Sequence, residues 1–308
     1  MVTNNNSDII VNPLKEFPSS SCEDDTMKKA YMTNVETLTK KFKRLFDTFE
    51  ANMKKKTKYS KRGKISSNKL YKYSFDNNIF KKVENKYEHF DISFIFLVDI
   101  SGSMASACQA PSGDVLSRLD LSKAIMKAIT NSISKTLKGK VKIEILLKSA
   151  PDVPFNDLGS PGFLSWVYSS DSKHLDSDII DKINFFNPLK SKRWSSTPEL
   201  LLAKGVLFFL KKFVKTKNSI IINLTDGDTF CRLQSKGTSE VPYSWGCESN
   251  TKCLKKYFKG FPFISIIIDP LSSKDTKGYI NPVMANGNTF ATKFRTVLTK
   301  MVNSFTEI

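Results

Sequence analysis

The chain has 308 residues, 40% of them hydrophobic, and a net charge of +18, which excludes wholesale disorder and allows one large domain with an extension. No run approaches 18 consecutive apolar residues, and the first thirty residues lack the basic start and apolar stretch of a secretory signal. Five cysteines cannot all pair within one chain, so we expect a reduced, cytoplasmic protein.

The N-terminal part divides into a predicted tail and a predicted helix. Residues 1–25 mix Asn, Ser, Pro and Asp without periodicity, which is typical of a flexible tail. From residue 26 to about residue 56, apolar side chains recur at steps of three and four and predict an amphipathic helix. These apolar residues are Tyr31, Val35, Leu38, Phe42, Leu45, Phe46 and Phe49. We expect the stripe to dock either on the body of this protein or on a partner.

Positive charge is densest in this part of the chain. Residues 26–72 hold 15 basic and 3 acidic residues, and they lie within a predicted basic helical extension over residues 26–88. Such density favours nucleic acid or an acidic partner. A solvated surface in a lysine-biased protein has the same composition, so both interpretations stay open.

From residue 91 onward, predicted strands and helices alternate. Residues 92–98 form a nearly continuous apolar run, typical of a strand covered on both faces. Further strands are predicted at 141–147, 219–224 and 263–268, helices at 121–137, 176–185, 199–213 and 290–305, and a long loop at 148–176. This alternation predicts an α/β fold with an open, mostly parallel sheet and helices on both faces. Ligands in such folds bind at the carboxyl ends of the strands.

Two of these helices have recognisable start signals. Ser117 with Asp120 has the spacing of a helix cap. Thr197 followed by Pro198 supplies a capping hydroxyl and a residue suited to the first helical turn.

The sharpest motif is Asp99-Ile100-Ser101-Gly102-Ser103, at the end of the first buried strand. One carboxylate is followed by two hydroxyls at alternate positions, and the glycine permits a tight turn, so the three side chains can face one point. Oxygen ligands of this kind suit Mg²⁺ or another hard divalent cation such as Mn²⁺. Because most of these ligands are neutral, the ion keeps positive charge for one more acidic ligand from another molecule.

This motif resembles the metal-ion-dependent adhesion site of the von Willebrand factor A (VWA) family, whose pattern is Asp-x-Ser-x-Ser. The resemblance implies a Rossmann-like VWA domain over residues 89–308. It also implies that Thr197 and Asp226, which follow in the expected order, complete the site. Asp99, Ser101, Ser103 and Thr197 would then hold the ion directly or nearly so, and Asp226 would act through water. Asp228 lies on the other side of Gly227 and is an alternative to Asp226.

A narrower resemblance is to the T subunit of aerobic cobaltochelatase and its bacteriophage relatives. It is carried by Arg62-Gly63-Lys64-Ile65, by Glu199-Leu200-Leu201-Leu202-Ala203 and by a polar insert after Asp226. It implies a non-enzymatic adaptor that captures an acidic residue of a protein ligand and works beside a MoxR-type AAA+ ATPase, the counterpart of the chelatase S subunit. It also implies the cytoplasm of a bacterial or phage-infected cell. The chain lacks the long acidic middle region of the T subunit, which disfavours cobalt insertion itself.

Other chemistries fit the sequence less well. An aspartyl phosphatase needs a second Asp where Ser101 stands. A serine hydrolase needs glycines two positions before and two after its serine, and Ser103 has Ser101 and Ala105 there. No phosphate-binding loop is present, so ATP hydrolysis would have to come from a partner. Neither His89 nor His174 has the spaced neighbours of a zinc site. The alternative function is a nucleic-acid-binding VWA protein that uses the basic segment. Cell-surface adhesion is disfavoured by the missing signal and the odd number of cysteines.

Overall fold

The computed structural model describes the chain in sixteen segments. They are 9–13, 25–53, 56–60, 64–65, 80–84, 92–137, 141–151, 162–170, 179–183, 195–196, 199–214, 218–227, 255, 257–269, 279–286 and 289–306. The helices are α1 (Asp25–Met53), α2 (Arg118–Leu137), α3 (Ile179–Lys182), α4 (Glu199–Phe213) and α5 (Phe290–Thr306). A short 3-10 helix spans Gly102–Ala105.

The strands form three sheets. The large sheet contains β1 (Ile9–Pro13), β5 (Ile92–Asp99), β8 (Val141–Pro151), β9 (Gly162–Ser169), β10 (Ser195–Ser196), β11 (Asn218–Thr225), β12 (Phe263–Ile267) and β13 (Pro282–Met284). A small sheet is made of β2 (Lys56–Ser60), β3 (Lys64–Ile65) and β4 (Phe80–Glu84). A hairpin pairs β6 (Ala107–Gln109) with β7 (Val115–Ser117).

The large sheet has the strand order of a doubly wound α/β fold. Its central six strands run β9-β8-β5-β11-β12-β13, which is 3-2-1-4-5-6 when the strands are counted along the chain from β5. Every neighbouring pair among them is parallel except β8 with β9. The predicted α/β class with a mostly parallel sheet is therefore confirmed, and the order is compatible with a Rossmann-like fold.

Both faces of the sheet are covered by helices. Alternate residues of a strand point to opposite faces, so one strand contributes side chains to two clusters. All eight residues of β5 are buried. Phe94, Phe96 and Val98 lie in a cluster with side chains of α1, α2 and α5. Ile95 and Leu97 lie in a second cluster with α4. Burial on both sides explains why this strand is an unbroken apolar run.

The apolar stripe of α1 docks on the body of the protein itself. Leu38, Phe42 and Phe46 are at most 1% exposed. The ring of Phe42 meets Phe290 and Phe294 of α5 edge-on, with centroids 5.9 and 5.3 Å apart. Of the two dockings left open by the sequence, the structure contains the intramolecular one. The division into an extension over 26–88 and a domain over 89–308 stays a prediction, and α1 packs into the same core as β5.

Two segments differ from their prediction. Ile9–Pro13, inside the predicted tail, forms β1 and pairs in parallel with β9. The predicted loop over 148–176 contains the end of β8 and all of β9, which are paired antiparallel. Strand β9 mixes apolar and polar residues, and its polar groups find partners across the sheet. The Trp166 indole N–H donates to the Glu144 carboxylate over 2.9 Å, and the Ser169 hydroxyl donates to the same carboxylate over 3.0 Å.

The start of α2 is confirmed. The Asp120 backbone N–H donates to Ser117 Oγ over 3.0 Å, and that hydroxyl donates to Asp120 Oδ2 over 2.6 Å. Helix α4 has the predicted bounds of 199–213.

Within the described ranges, none of the helices combines the length and the apolar character needed to cross a membrane. Other predictions fall outside those ranges, namely those for Cys22, His89, His174, Thr197, Pro198, Asp228, Cys231, Cys247, Cys253 and the residues of the polar insert.

Candidate metal centre

The strand order places two predicted ligands at the topological switch point of the sheet. Strands β5 and β11 are neighbours, and the chain leaves β5 towards β8 on one side and β11 towards β12 on the other. Asp99 ends β5, and Asp226 directly follows β11. The crevice outside the carboxyl ends of two such strands is the usual ligand site of this kind of sheet.

The turn after β5 gathers the carboxylate and the two hydroxyls. Asp99 and Ser101 are at most 1% exposed. The Ser101 backbone N–H donates to Asp99 Oδ1 over 2.9 Å, and Ser101 Oγ lies 3.1 Å from Ser103 Oγ. The Met104 N–H donates to the Ser101 carbonyl over 3.1 Å and closes the turn. Met104 itself is fully buried and anchors this turn in the core.

The hydroxyl pair has the separation that an octahedral cation requires. Two adjacent ligands of Mg²⁺, each about 2.1 Å from the ion, lie about 3 Å apart, which the Ser101 and Ser103 oxygens match. In the part of the chain that the structure describes, no three His, Cys, Asp or Glu side chains form a metal-binding group. If a cation binds here, the hydroxyls of Ser101 and Ser103 would supply ligands beside Asp99. The donor set is entirely oxygen and fits a hard divalent ion.

Thr225 orients Asp99, a role that the sequence analysis missed. Its hydroxyl donates to Asp99 Oδ2 over 3.1 Å and accepts from the Gly227 N–H over 3.3 Å. Gly227 has a φ of 86°, a left-handed conformation that favours glycine. Both carboxylate oxygens of Asp99 are thus held by protein donors. The available sequence signal was only the position of Thr225 at the end of a buried strand.

Arg118 is a second functional candidate that the sequence did not reveal. It is the first residue of α2 and is 5% exposed. Its Nη1 donates to Asp226 Oδ2 over 3.1 Å and to the Ser103 carbonyl over 3.4 Å, while Nη2 donates to Asp269 Oδ2 over 3.5 Å. A cation in the first turn of a helix opposes the helix dipole, and this was the one weak signal in the sequence.

A third carboxylate borders the site. Asp269 follows β12 and has a φ of 48°, which Asp tolerates better than most residues. Asn286 Nδ2 donates to Asp269 Oδ1 over 3.4 Å. Burial first, and then the negative charge of Asp269, raise the pKa of the Cys108 thiol to about 11. Lys148, 1% exposed, is aligned with Asp99 on the neighbouring strand.

The structure therefore brings together Asp99, Ser101, Ser103 and Asp226, and it leaves the fifth predicted ligand open. Thr197 lies outside the described residues. The two residues before it, Ser195–Ser196, form β10, which pairs with the end of β8. Cα atoms of β10 lie within 8 Å of Cα atoms in the short 3-10 helix that contains Ser103. The ligand role of Thr197 stays a prediction.

No protein-family model matches the chain, and no curated protein matches it significantly. The resemblance to the VWA family accordingly stays a prediction.

Proposed function

We propose that this chain is a VWA-type adaptor that binds a protein ligand through a divalent cation, most simply Mg²⁺. The observation that carries the proposal is the pair of hydroxyls 3.1 Å apart, beside a buried carboxylate at the switch point of the sheet. A bound Mg²⁺ would supply a coordination position for an Asp or Glu oxygen of the ligand.

Each residue of the site has a distinct role in this proposal. Asp99 is the anionic anchor, and its orientation is set by the Ser101 N–H and the Thr225 hydroxyl. Ser101 and Ser103 are neutral ligands, so they leave the cation attractive to an acidic group. Asp226 has one oxygen bound to Arg118, which favours an outer role through water. Ser103 is partly exposed while Asp99 is buried, so the ligand would approach from the Ser103 side.

The partner is the finer part of the proposal. We infer a MoxR-type AAA+ ATPase, with this chain selecting the substrate of the complex and performing no catalysis itself. This inference depends on the resemblance of residues 62–65 and 199–203 to the cobaltochelatase T subunit. The structure adds that residues 199–203 begin α4, on the face of the sheet opposite α1.

The cation is tested by thermal melting of the full chain in millimolar MgCl₂ and in EDTA. We expect Mg²⁺ to raise the Tm of the wild type by about 2–6 °C. Asp99→Asn should lose this shift, because the amide keeps the size of the side chain and removes its charge. Asp47→Asn, on the exposed surface of α1, is the matched control and should keep the shift. An undiminished shift in Asp99→Asn would refute the site.

The partner is tested by affinity purification with the same proteins. An AAA+ ATPase should be recovered by the wild type in Mg²⁺, and it should be lost both in EDTA and with Asp99→Asn. Equal recovery of the ATPase in EDTA and with Asp99→Asn would contradict a contact mediated by the cation.

Nucleic-acid binding is the second candidate, and one observation favours it. The solvent face of α1 carries six exposed basic side chains, while its apolar stripe packs against the core. They are Lys28, Lys29, Lys40, Lys41, Lys43 and Arg44. Such a helix can contact phosphates along a backbone without reading sequence.

A further inference from the structure

The side chain of Arg118 connects three loops at the carboxyl edge of the sheet. Through its two terminal nitrogens it contacts the turn after β5 at Ser103, the turn after β11 at Asp226 and the turn after β12 at Asp269. The Asp226 side chain is fully buried, and that of Arg118 is 6% exposed. This buried ion pair therefore sits inside the proposed metal site, and the inference that follows rests on the proposed function.

A buried carboxylate requires a compensating positive charge. In the structure Arg118 provides it to Asp226. A Mg²⁺ held by Ser103 and its neighbours would stand close to this guanidinium, because Arg118 Nη1 is within 3.4 Å of the Ser103 carbonyl. Two cations held at the same turn repel each other even at the effective dielectric constant that applies near a protein surface.

We propose that Arg118 is the resident counter-ion of the site. It keeps Asp226 and the Ser103 turn in place when no divalent cation is bound, and its charge weakens the binding of Mg²⁺. The adaptor would then fold without metal and would bind Mg²⁺ more weakly than the same site lacking the Arg118 charge.

A purely structural role for Arg118 predicts the opposite sign. If the guanidinium only oriented Asp226 for the metal, then its removal would disorder a ligand and weaken Mg²⁺ binding. If it is a competing cation, its removal strengthens Mg²⁺ binding while it destabilises the metal-free protein. The two roles are separated by measuring affinity and stability on the same variants.

The experiment uses the full chain with Arg118→Gln, Arg118→Lys and, as a matched control, Arg44→Gln on the exposed face of α1. Calorimetric titration with MgCl₂ gives the Kd, and melting in EDTA gives the stability without metal. For Arg118→Gln we expect a Kd about tenfold lower than that of the wild type. We also expect a Tm about 5–10 °C lower in EDTA, largely restored by Mg²⁺. Arg118→Lys keeps the charge, so its Kd for Mg²⁺ should lie within about threefold of the wild-type value. The Kd of Arg44→Gln should equal that of the wild type.

Several results would overturn the inference. One is a Kd for Arg118→Gln that is unchanged or higher, and another is a lysine variant that binds as tightly as the glutamine variant. A glutamine variant that stays unfolded at every Mg²⁺ concentration would also count against it, because the ion could not then replace the guanidinium. Folding only in Mg²⁺ would support it.

The outcomes also separate this inference from the proposed function. Absence of Mg²⁺ binding in every protein would refute both. Binding by the wild type with no change in Arg118→Gln would overturn the counter-ion role alone. Binding by Arg118→Gln but not by the wild type would support the counter-ion role and refute the Mg²⁺-dependent adaptor.

Discussion

The carboxylate of Asp99 illustrates how single residues build this site. It is fully buried, and each of its oxygens accepts a hydrogen bond, one from the Ser101 backbone and one from the Thr225 hydroxyl. Buried polar groups that are satisfied in this way hold a fixed orientation. The anchor of the candidate site is thus preorganised before any cation binds.

Cys108 allows a prediction at the same scale. Burial raises its pKa to about 11, so the thiolate fraction at pH 8 is about one thousandth. We expect alkylation of native protein at pH 8 to leave the Cys108 peptide unmodified in mass spectrometry, and the same treatment in urea to label it. The ordinary pKa of this thiol is 9.0, so the unfolded chain ionises first. The contribution of the neutral Cys108 thiol to the free energy of unfolding is therefore present below pH 9. It is lost as the pH rises from 9 towards 11. Equal labelling rates in native and urea-treated protein would contradict this burial.

At the scale of elements, α1 belongs to the core that covers one face of the sheet. Its buried side chains share a cluster with those of β5, α2 and α5. Polar contacts reinforce the packing. The Tyr31 hydroxyl donates to Asp181 of α3 over 2.7 Å, and Lys127 of α2 pairs with the same carboxylate. Removal of the whole basic segment would therefore expose this face, so its charge has to be tested by surface substitutions.

A core substitution in α1 tests this packing. Phe42→Ala should lower the free energy of unfolding by about 3–5 kcal/mol, because it deletes a fully buried ring that contacts two aromatic rings of α5. Lys43→Ala, one position along on the exposed face, should change it by less than about 0.5 kcal/mol. Urea denaturation measures both. Similar values for the two variants would show that α1 does not pack on the sheet in solution.

At the scale of the whole molecule, the strand order and the charge act on different surfaces. The order 3-2-1-4-5-6 makes the switch point between β5 and β11, and this crevice holds the candidate site. The net charge of +18 belongs to the whole sequence, and α1 carries six exposed basic side chains. The candidate cation site and the basic surface of α1 are separate features, so their binding has to be tested separately.

The charge is tested with oligonucleotides of RNA and DNA. In fluorescence anisotropy at physiological salt, the adaptor proposal predicts weak oligonucleotide binding. The Kd should stay the same in two sets of substitutions. The first is Lys40→Gln, Lys43→Gln and Arg44→Gln on α1, and the control is Lys211→Gln with Lys212→Gln on α4, where both lysines are also exposed. A micromolar or tighter Kd that is lost only in the α1 variant would favour nucleic-acid binding instead.

Local pattern was sufficient for the long elements and for picking out the turn after β5 as a candidate site. The buried strand at 92–98 and the helix at 199–213 were predicted nearly to their observed bounds, because their apolar periodicity is strong over many residues. Asp99, Ser101 and Ser103 could be named as candidate ligands from the sequence because they are neighbours in one turn. The short strands β1 and β13 and the eight-residue strand β9 were missed or taken as tail and loop. Periodicity is weak in β1 and β13 because they are short, and in β9 because it mixes apolar and polar residues.

Tertiary structure alone decided which distant residues contact the carboxylates of the candidate site. Arg118 is 108 positions from Asp226 and 151 from Asp269, and Thr225 is 126 positions from Asp99. No local periodicity reports such pairings. They arise because the order of the strands brings the ends of β5, β11 and β12 to one edge, where buried charges and hydroxyls must find partners within the protein.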